Sequence, residues 1–102
     1  MITLSSPDAF KSSDIPTEPG VYLYRDEADE IIYVGKAKNL RNRVKSYFSS
    51  IYQPVKTRQL IMHIHSIDWV VVNNEVEALL LENKLIKQHT PKYNINLKDA
   101  KT

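Results

Sequence analysis

The sequence predicts a small α+β domain, in which a three-stranded antiparallel sheet is flanked by helices in the order β-β-α-α-β-α. Three observations support this fold class. Two β-branched and aromatic runs stand on either side of a short acidic loop, which is typical of a β-hairpin. Apolar residues then recur at helical spacing over two segments. A third β-branched run, at 69–72 and expected to be buried on at least one face, precedes a long helical pattern that ends before Pro91.

The predicted hairpin places two tyrosines close together. Its strands are expected at residues 21–24 and 31–34, joined by the acidic loop. If the turn centres on residues 27 and 28, Tyr22 and Tyr33 face each other as a cross-strand pair. A shift of the register by one residue would separate them.

Capping residues mark where the helices are expected to begin. Asn39 can cap the first helix, and Pro54 suits the first turn of the second. Asn73 or Asn74 can cap the last helix, which is expected from 75 to about 89. The apolar face of the first helix consists of Leu40, Val44, Tyr47, Phe48 and Ile51.

The composition describes one globular domain. With 102 residues, of which 42% are hydrophobic and 25% charged, the chain can build a single core. Residues 1–14 are predicted to be a polar lead-in with a short helix around Ala9 and Phe10. No segment is apolar enough to cross a membrane and no export signal is visible at the start, so the cytoplasm is the expected location. The absence of cysteine excludes disulfides and thiolate metal sites.

The net charge of +2 hides a strong asymmetry along the chain. Residues 31–67 contain seven Lys and Arg and no Asp or Glu. Such a block indicates an anionic partner, although a solvated helix face would carry the same charges. The residues of this block that we predict to contact a nucleic acid are Lys36, Lys38, Arg41, Arg43 and Lys45.

Glu82 interrupts the apolar pattern of the last helix. It falls between two apolar arcs, and a carboxylate there is costly unless a cation, a metal ion or hydrogen bonds compensate its charge. A structural salt bridge, or a helix edge that reaches water, would also explain Glu82. The first arc consists of Val76, Leu79, Leu80 and Ile86, and the second of Ala78, Leu81 and Leu85.

Several tyrosines and bases could form a reactive site. Strand tyrosines such as Tyr22 and Tyr33 usually pack in a core. Lys36, however, follows Tyr33 closely and could lower the pKa of a phenol, making it a base or a water-positioning group. Arg43 and Tyr47 are one helical turn apart, so they share a face and can form a phosphate clamp with a phenol beside it.

Two short motifs carry a family resemblance. Gly20-Val21-Tyr22 and Tyr33-Val34-Gly35 resemble the signature of the GIY-YIG nuclease family, with Val in place of Ile in both. Within that family, the chain is similar to the N-terminal nuclease domain of the UvrC branch over about residues 15–100. The other runs that carry this similarity are 36–40, 46–48, 77–87, 91–94 and 97–99.

The resemblance implies a site and a reaction. Arg43, Glu82 and Asn94 fall where the family has its arginine, its metal-binding glutamate and its asparagine. The implied cofactor is a single divalent ion, Mg²⁺ or Mn²⁺, held by Glu82. The implied reaction is hydrolysis of a phosphodiester on the 3′ side of a DNA lesion, within nucleotide excision repair.

The resemblance also implies that this chain is one part of a longer protein. The nuclease domain is then expected at residues 15–98, and residues 99–102 begin a linker to further domains. The implied partners are damaged duplex DNA and, through the full-length protein, a UvrB–DNA complex. The isolated chain is expected to be a monomer.

Residue chemistry suggests a mechanism but leaves one role open. Either Tyr33 or Tyr22, with Lys36 nearby, positions and deprotonates a water, while Glu82 carries the ion that stabilises the leaving oxygen. Arg43 offsets charge on the phosphorane. Three alternatives remain: a stand-alone GIY-YIG nuclease acting on branched or specific DNA, a non-catalytic DNA-binding module, and a domain that docks onto a repair partner.

Overall fold

A computed structural model of the chain describes residues 2–3, 14–49 and 55–94. Within these ranges, four strands form one antiparallel sheet and three helices pack against it. The strands are β1 (Ile2–Thr3), β2 (Gly20–Arg25), β3 (Ile31–Ala37) and β4 (Ser66–Val71). The helices are α1 (Leu40–Ser49), α2 (Val55–His63) and α3 (Glu75–His89). The predicted α+β class, with its three main strands and three helices, is confirmed.

A short additional strand extends the predicted three-stranded sheet. The strand order is β1-β4-β2-β3, so β3 forms one edge. The residues of β1 belong to the predicted lead-in, but Ile2 pairs with Ile67 at the other edge. Other predicted features lie outside the described residues, namely the short helix around Ala9 and Phe10, the apolar residue Ile51 and the helix-starting Pro54.

The register of the β2–β3 hairpin differs from the predicted one. Tyr24 lies opposite Tyr33, and Tyr22 lies opposite Gly35. The predicted Tyr22–Tyr33 pair is therefore wrong by two residues. Because side chains alternate with a period of two, this offset leaves all three tyrosines on one face of the sheet.

The acidic loop explains the shift of the register. The Asp26 N–H donates to the Glu30 carbonyl over 2.9 Å, which closes the loop around three residues. The Asp26 carboxylate accepts from the N–H groups of Ala28 and Glu30, each at 3.0 Å. Asp29 adopts a φ of 64°, a left-handed conformation that Asp tolerates better than most residues. The turn is thus longer than the two-residue turn we expected, and a register shift between Tyr24 and Arg25 immediately precedes it.

Two apolar clusters lie on opposite faces of the sheet. Alternation along β2 sends Tyr22 and Tyr24 into the larger cluster, and Val21 and Leu23 into the smaller. The larger cluster also contains Leu40, Val44 and Tyr47 of α1 and Leu60 of α2. The smaller cluster contains Val34 and Ala78, with Leu81, Leu85 and Ile86 of α3 packed against it. The sheet is therefore the middle layer of three.

Asparagine side chains cap α1 and α3 as expected. The Asn39 Oδ1 atom accepts from the N–H of Asn42 at 3.1 Å. The Asn74 Oδ1 atom accepts from the N–H of Glu77 at 2.9 Å, so Asn74, not Asn73, is the cap of α3. In the described ranges, no helix has both the length and the apolar character that a membrane crossing requires.

The end of β4 is more exposed than we predicted. Ser66 and Ile67 are buried, but Val70 and Val71 are 43% and 48% exposed. The strand also begins at Ser66, ahead of the expected start at residue 69. The prediction of a buried strand is wrong for its second half, because α3 packs over β3 and β2 and leaves the end of β4 largely uncovered.

Candidate active site

An open cavity of about 640 Å³ lies between α1, the end of β3 and α3. It brings together residues that are up to 60 positions apart, from Tyr22 on β2 to Glu82 on α3. The predicted site residues that line it are Tyr22, Tyr33, Lys36, Lys38, Arg43 and Glu82. The remaining lining residues are Gly35, Ala37, Asn39, Asn42, Ser46, Glu75 and Ala78.

The glycines of the two tyrosine motifs make room for close contacts. A Cβ atom on Gly35 would overlap the hydroxyl and the ring of Tyr22, which lies opposite it in the sheet. A Cβ atom on Gly20 would overlap the backbone carbonyl of Val70 on the neighbouring strand. Gly35 therefore fixes where the Tyr22 ring can lie.

We expect Gly35→Ala to disturb the site by displacing Tyr22. The added methyl group overlaps a fully packed ring, and overpacking of this kind costs about 1–3 kcal/mol of the free energy of unfolding. Urea unfolding measures that cost, and near-ultraviolet circular dichroism reports the movement of the tyrosine rings. An unchanged free energy of unfolding together with an unchanged spectrum would show that Tyr22 does not depend on Gly35.

Tyr22, Arg43 and Tyr47 form one hydrogen-bonded group. The Tyr22 and Tyr47 hydroxyls are 2.9 Å apart, and Arg43 Nε donates to the Tyr22 hydroxyl over 3.3 Å. The Arg43 guanidinium lies 5.3 Å from the centroid of the Tyr47 ring, as a cation–π contact. The prediction that Arg43 and Tyr47 share a face of the helix is confirmed.

The phenols of the site are held in their protonated form. Burial is the main cause that raises the pKa of Tyr22 and of Tyr33, and the neighbouring phenol of Tyr47 raises the pKa of both further. Arg43 lowers both pKa values, but by less. Both hydroxyls therefore keep their protons at neutral pH and can donate hydrogen bonds.

The expectation that Lys36 lowers the pKa of a phenol is wrong. The Lys36 side chain is exposed to solvent, where water screens its charge. The pKa of Tyr33 is raised, first by burial and, to a smaller extent, by the negative charge of Glu82. Desolvation thus outweighs any effect of the nearby lysine.

Glu82 lies on the cavity side of α3. Its Oε2 atom accepts from the backbone N–H of Lys36 at 2.9 Å. The second predicted apolar arc, which contains Ala78, faces the sheet, whereas the first is largely exposed at Val76 and Leu80. Glu82 is therefore half-buried at the edge of the buried arc, with a carboxylate that reaches the cavity.

The residues of the cavity fit one hydrated divalent ion. In the described part of the chain, no group of three or more His, Cys, Asp or Glu residues could hold a metal ion. Glu82 is thus a single carboxylate donor, which suits Mg²⁺ because this ion usually keeps several water ligands. The other acid of the cavity, Glu75, forms an exposed ion pair with Lys38 at 3.6 Å.

Asn94 is a predicted site residue that does not line the cavity. Its side chain is buried and hydrogen-bonds to both backbone groups of Val34, accepting from the N–H and donating to the carbonyl, each over 2.8 Å. It thereby covers the outer edge of β3 between Tyr33 and Gly35. The contacts of the Asn94 side chain are therefore with the backbone of β3 and not with the cavity.

Two predicted nucleic-acid contacts also lie away from the cavity. Arg41 Nε donates to the carbonyl of Ile15 over 2.8 Å, and Arg41 and Lys45 do not line the cavity. The side of α1 that faces the cavity is a different one, which carries Asn42 and Ser46 beside Arg43. Neither residue is charged, so the basic pattern of this segment did not indicate them, although Ser46 follows Arg43 by three positions and follows Asn42 by four, which are spacings of one helix face.

The arrangement of motifs on this fold defines a GIY-YIG domain. The two tyrosine motifs lie on neighbouring strands. An arginine on the following helix and a glutamate on the last helix face the same cavity. The family model described as the UvrC-like GIY-YIG domain matches residues 18–95. The chain therefore belongs to the family of UvrC-like GIY-YIG domains.

Several curated relatives share more than half of the aligned residues. The UvrABC system protein C of Methanococcus maripaludis is 55% identical over 89 residues, which are 87% of this chain and 17% of the relative. The protein of that name from Bacteroides fragilis is 57% identical over 90 residues, 88% of this chain and 15% of the relative. The protein of that name from Treponema denticola is 58% identical over 87 residues, which are 85% of this chain and 13% of the relative. The chain thus spans less than a fifth of these relatives.

Solved structures show the same fold. The GIY-YIG N-terminal endonuclease domain of UvrC from Thermotoga maritima, bound to its catalytic divalent cation, magnesium, is 42% identical. It superimposes with a TM-score of 0.70, covering 78% of this chain and 85% of that one. A point mutant of the same domain, also bound to its catalytic divalent cation, gives a TM-score of 0.70 at 42% identity. The superposition covers 78% of this chain and 84% of that one.

Proposed function

We propose that this domain is a metal-dependent endonuclease, which hydrolyses a DNA phosphodiester and makes the 3′-side incision at lesions in nucleotide excision repair. The observation that carries the proposal is the cavity, which joins protonated phenols, an arginine and one carboxylate suited to a hydrated dication. The likeness to the magnesium-bound endonuclease domain of Thermotoga maritima supports it. The cytoplasm is the location we propose, and the nuclease domain is proposed to occupy residues 15–98, with a linker beginning at 99–102.

We assign Glu82 as the ligand of a single divalent ion, either Mg²⁺ or Mn²⁺. Its carboxylate is half-buried, faces the cavity and accepts one hydrogen bond from the protein through Oε2. When bound, such an ion stabilises a leaving oxygen and lowers the pKa of a coordinated water. The remaining roles belong to the side chains around it.

Of the two candidate tyrosines, Tyr33 is the better placed to contact the attacking water. Both tyrosines line the cavity, but Tyr33 is only half-buried, whereas Tyr22 is buried and its hydroxyl is already hydrogen-bonded to Arg43 and Tyr47. Because its pKa is raised, the Tyr33 hydroxyl is protonated and can orient a water or a phosphate oxygen by donating a hydrogen bond. We therefore assign Tyr33 to positioning of the nucleophile.

Arg43 is assigned to the phosphate. It lines the cavity on the side facing Glu82 and keeps its positive charge, since the neighbouring phenols raise its pKa. During hydrolysis, the water oxygen bonds to phosphorus as one P–O bond of the backbone breaks, and negative charge accumulates on the phosphoryl oxygens. A guanidinium at that position stabilises this charge.

The DNA backbone is proposed to cross the mouth of the cavity. Lys36 and Lys38 are exposed there, and Asn42 adds a neutral hydrogen-bonding group on α1. Contacts of this kind fix the position of a backbone without reading sequence or damage. We therefore propose that lesion recognition comes from a longer protein of the UvrC type and from its UvrB–DNA complex.

We expect the isolated domain to be a weak, unselective nuclease. It should nick supercoiled plasmid slowly in Mg²⁺ or Mn²⁺ at low salt, and the rate should fall steeply with added salt because binding relies on phosphate contacts. Gel electrophoresis of plasmid with and without EDTA measures this, and sedimentation tests the expected monomer. Salt-sensitive binding without nicking would favour a DNA-binding module, and neither binding nor nicking would favour a docking domain. Selective cutting at physiological salt would favour a stand-alone nuclease.

A further inference from the structure

The hydroxyl of Tyr22 is enclosed by two partners. Tyr22 is only 1% exposed. Its oxygen accepts from Arg43 Nε at 3.3 Å and lies 2.9 Å from the hydroxyl of Tyr47. Since Arg43 Nε can only donate, the direction of the first hydrogen bond is fixed.

The direction of the second hydrogen bond follows from the burial of the Tyr22 hydroxyl. A phenol carries one proton, and that of Tyr22 needs an acceptor because an unpaired buried donor is costly. Among the described residues, the acceptor within reach of that proton is the oxygen of Tyr47, 2.9 Å away. The hydrogen bonds therefore form a donor-to-acceptor series that runs from Arg43 to Tyr22 and on to Tyr47.

This series of hydrogen bonds holds the guanidinium of Arg43 from one side. Its Nε–H is committed to Tyr22, and the Tyr47 ring lies against the guanidinium at 5.3 Å from its centroid. Within the described residues, the hydrogen bond of Arg43 to a side chain uses Nε and not the two terminal amino groups, and Arg43 lines the cavity. Those amino groups are thus available for bidentate contact with a phosphate.

We propose that Tyr22 is a positioning residue: its hydroxyl orients Arg43 towards the phosphate and does not itself act on the attacking water. This inference rests on the proposed nuclease function. It assigns the Tyr22 hydroxyl to Arg43 and Tyr47, and so gives the two tyrosines of the signature motifs different tasks. Tyr33 faces the nucleophile, whereas Tyr22 acts through Arg43.

Tyr24 supplies a matched control within the same cluster. It is fully buried, and the centroid of its ring lies 5.2 Å from the ring centroid of Tyr22, 6.0 Å from that of Tyr33 and 5.3 Å from that of Tyr47. Its hydroxyl has no hydrogen-bond partner among the described residues. Tyr24→Phe therefore removes a buried hydroxyl from the cluster and leaves the hydrogen bonds among Arg43, Tyr22 and Tyr47 in place.

The kinetic test is a double-mutant cycle on metal-dependent nicking. Tyr22→Phe should lower kcat/KM by roughly 10- to 100-fold, the range expected for a lost hydrogen bond to a charged group, while Tyr24→Phe keeps the wild-type rate. In the Arg43→Ala background, Tyr22→Phe should cause no further loss. The pH dependence of Tyr22→Phe should keep the wild-type shape. A full further loss in that background, or an equal loss in Tyr24→Phe, would overturn the proposal.

A second measurement needs neither metal nor DNA. In ¹⁵N-labelled protein, the Nε–H signal of Arg43, assigned by its loss in Arg43→Lys, should exchange slowly in the wild type and in Tyr24→Phe. It should exchange rapidly in Tyr22→Phe. Slow exchange that survives Tyr22→Phe would overturn the proposal. If the wild type never nicks DNA, the nuclease function fails, and this spectrum still decides whether Tyr22 orients Arg43.

Discussion

Replacing Glu82 by Gln is expected to abolish metal-dependent nicking by the domain while leaving its fold intact. The change removes one negative charge from the only carboxylate that we assign to the divalent ion. The Gln oxygen can still accept from the Lys36 N–H, as Oε2 of Glu82 does at 2.9 Å. We expect the nicking rate to fall by about a thousand-fold or more, since a loss of metal-ion stabilisation amounts to several kcal/mol in the transition state.

The matched control is Glu77→Gln on the same helix. Glu77 lies outside the cavity and accepts from the side chain of Asn73 at 3.1 Å, which Gln can also do. Both variants remove one acid from α3, so both alter the net charge equally. Calorimetry with Mn²⁺ should show binding to the wild type and to Glu77→Gln but not to Glu82→Gln.

Two results would contradict the assignment of Glu82. The first is Mn²⁺ binding that is unchanged in Glu82→Gln, which would place the ion elsewhere. The second is a comparable loss of nicking in Glu77→Gln, which would make the effect one of general charge on the helix. The free energy of unfolding should change by less than about 1 kcal/mol in either variant, since neither side chain is fully buried.

Local patterns account for the parts of the fold that could be predicted. The caps at Asn39 and Asn74 depend on a hydrogen bond within one turn, so residue type and position are sufficient to identify them. The pairing of Arg43 with Tyr47 follows from helical spacing alone. These features belong to single helices and do not require knowledge of the tertiary structure.

Features that depend on tertiary packing were less predictable. The last helix has two apolar arcs of similar composition, and only its contact with β2 and β3 decides that the arc of Ala78 is buried. In α1, Arg41 and Arg43 are the same residue type, but the core packing of Leu40 and Val44 turns only Arg43 to the cavity. Charge alone therefore does not distinguish the two arginines.

The hairpin register depended on loop chemistry that we weighed too lightly. A two-residue turn matches the length of the acidic segment as well as the observed loop does. The Asp26 carboxylate, which accepts from two backbone N–H groups, selects the longer loop. An aspartate at the start of a loop is therefore a better guide to this register than symmetry between the strands.

Asn94 lies 60 residues from the strand that it supports, and no local pattern could have revealed this contact. Its amide side chain pairs with both the N–H and the carbonyl of Val34, much as a further strand would at the edge of β3. Asn94 is 4% exposed, so water does not replace it readily. We propose that this contact fixes the positions of Tyr33 and Gly35, which lie on either side of Val34.

We therefore expect Asn94→Ala to be strongly destabilising. The change leaves two buried backbone groups of Val34 without partners, at about 1–3 kcal/mol each, or roughly 2–6 kcal/mol in total. That is a large part of the 5–15 kcal/mol by which domains are typically stable. Urea unfolding measures the loss, and Asn83→Ala, on the exposed side of α3, is the control that should change little.

The same variant separates a structural role of Asn94 from a catalytic one. If Asn94 acts through Val34, nicking should fall together with the free energy of unfolding. Amide hydrogen exchange should then quicken at Tyr33, Val34 and Gly35, because an edge strand without its clamp opens more often. A variant that unfolds like the wild type but no longer nicks DNA would require Asn94 to contact the substrate or the ion directly. The position of its side chain on the outer edge of β3, away from the cavity, argues against that outcome.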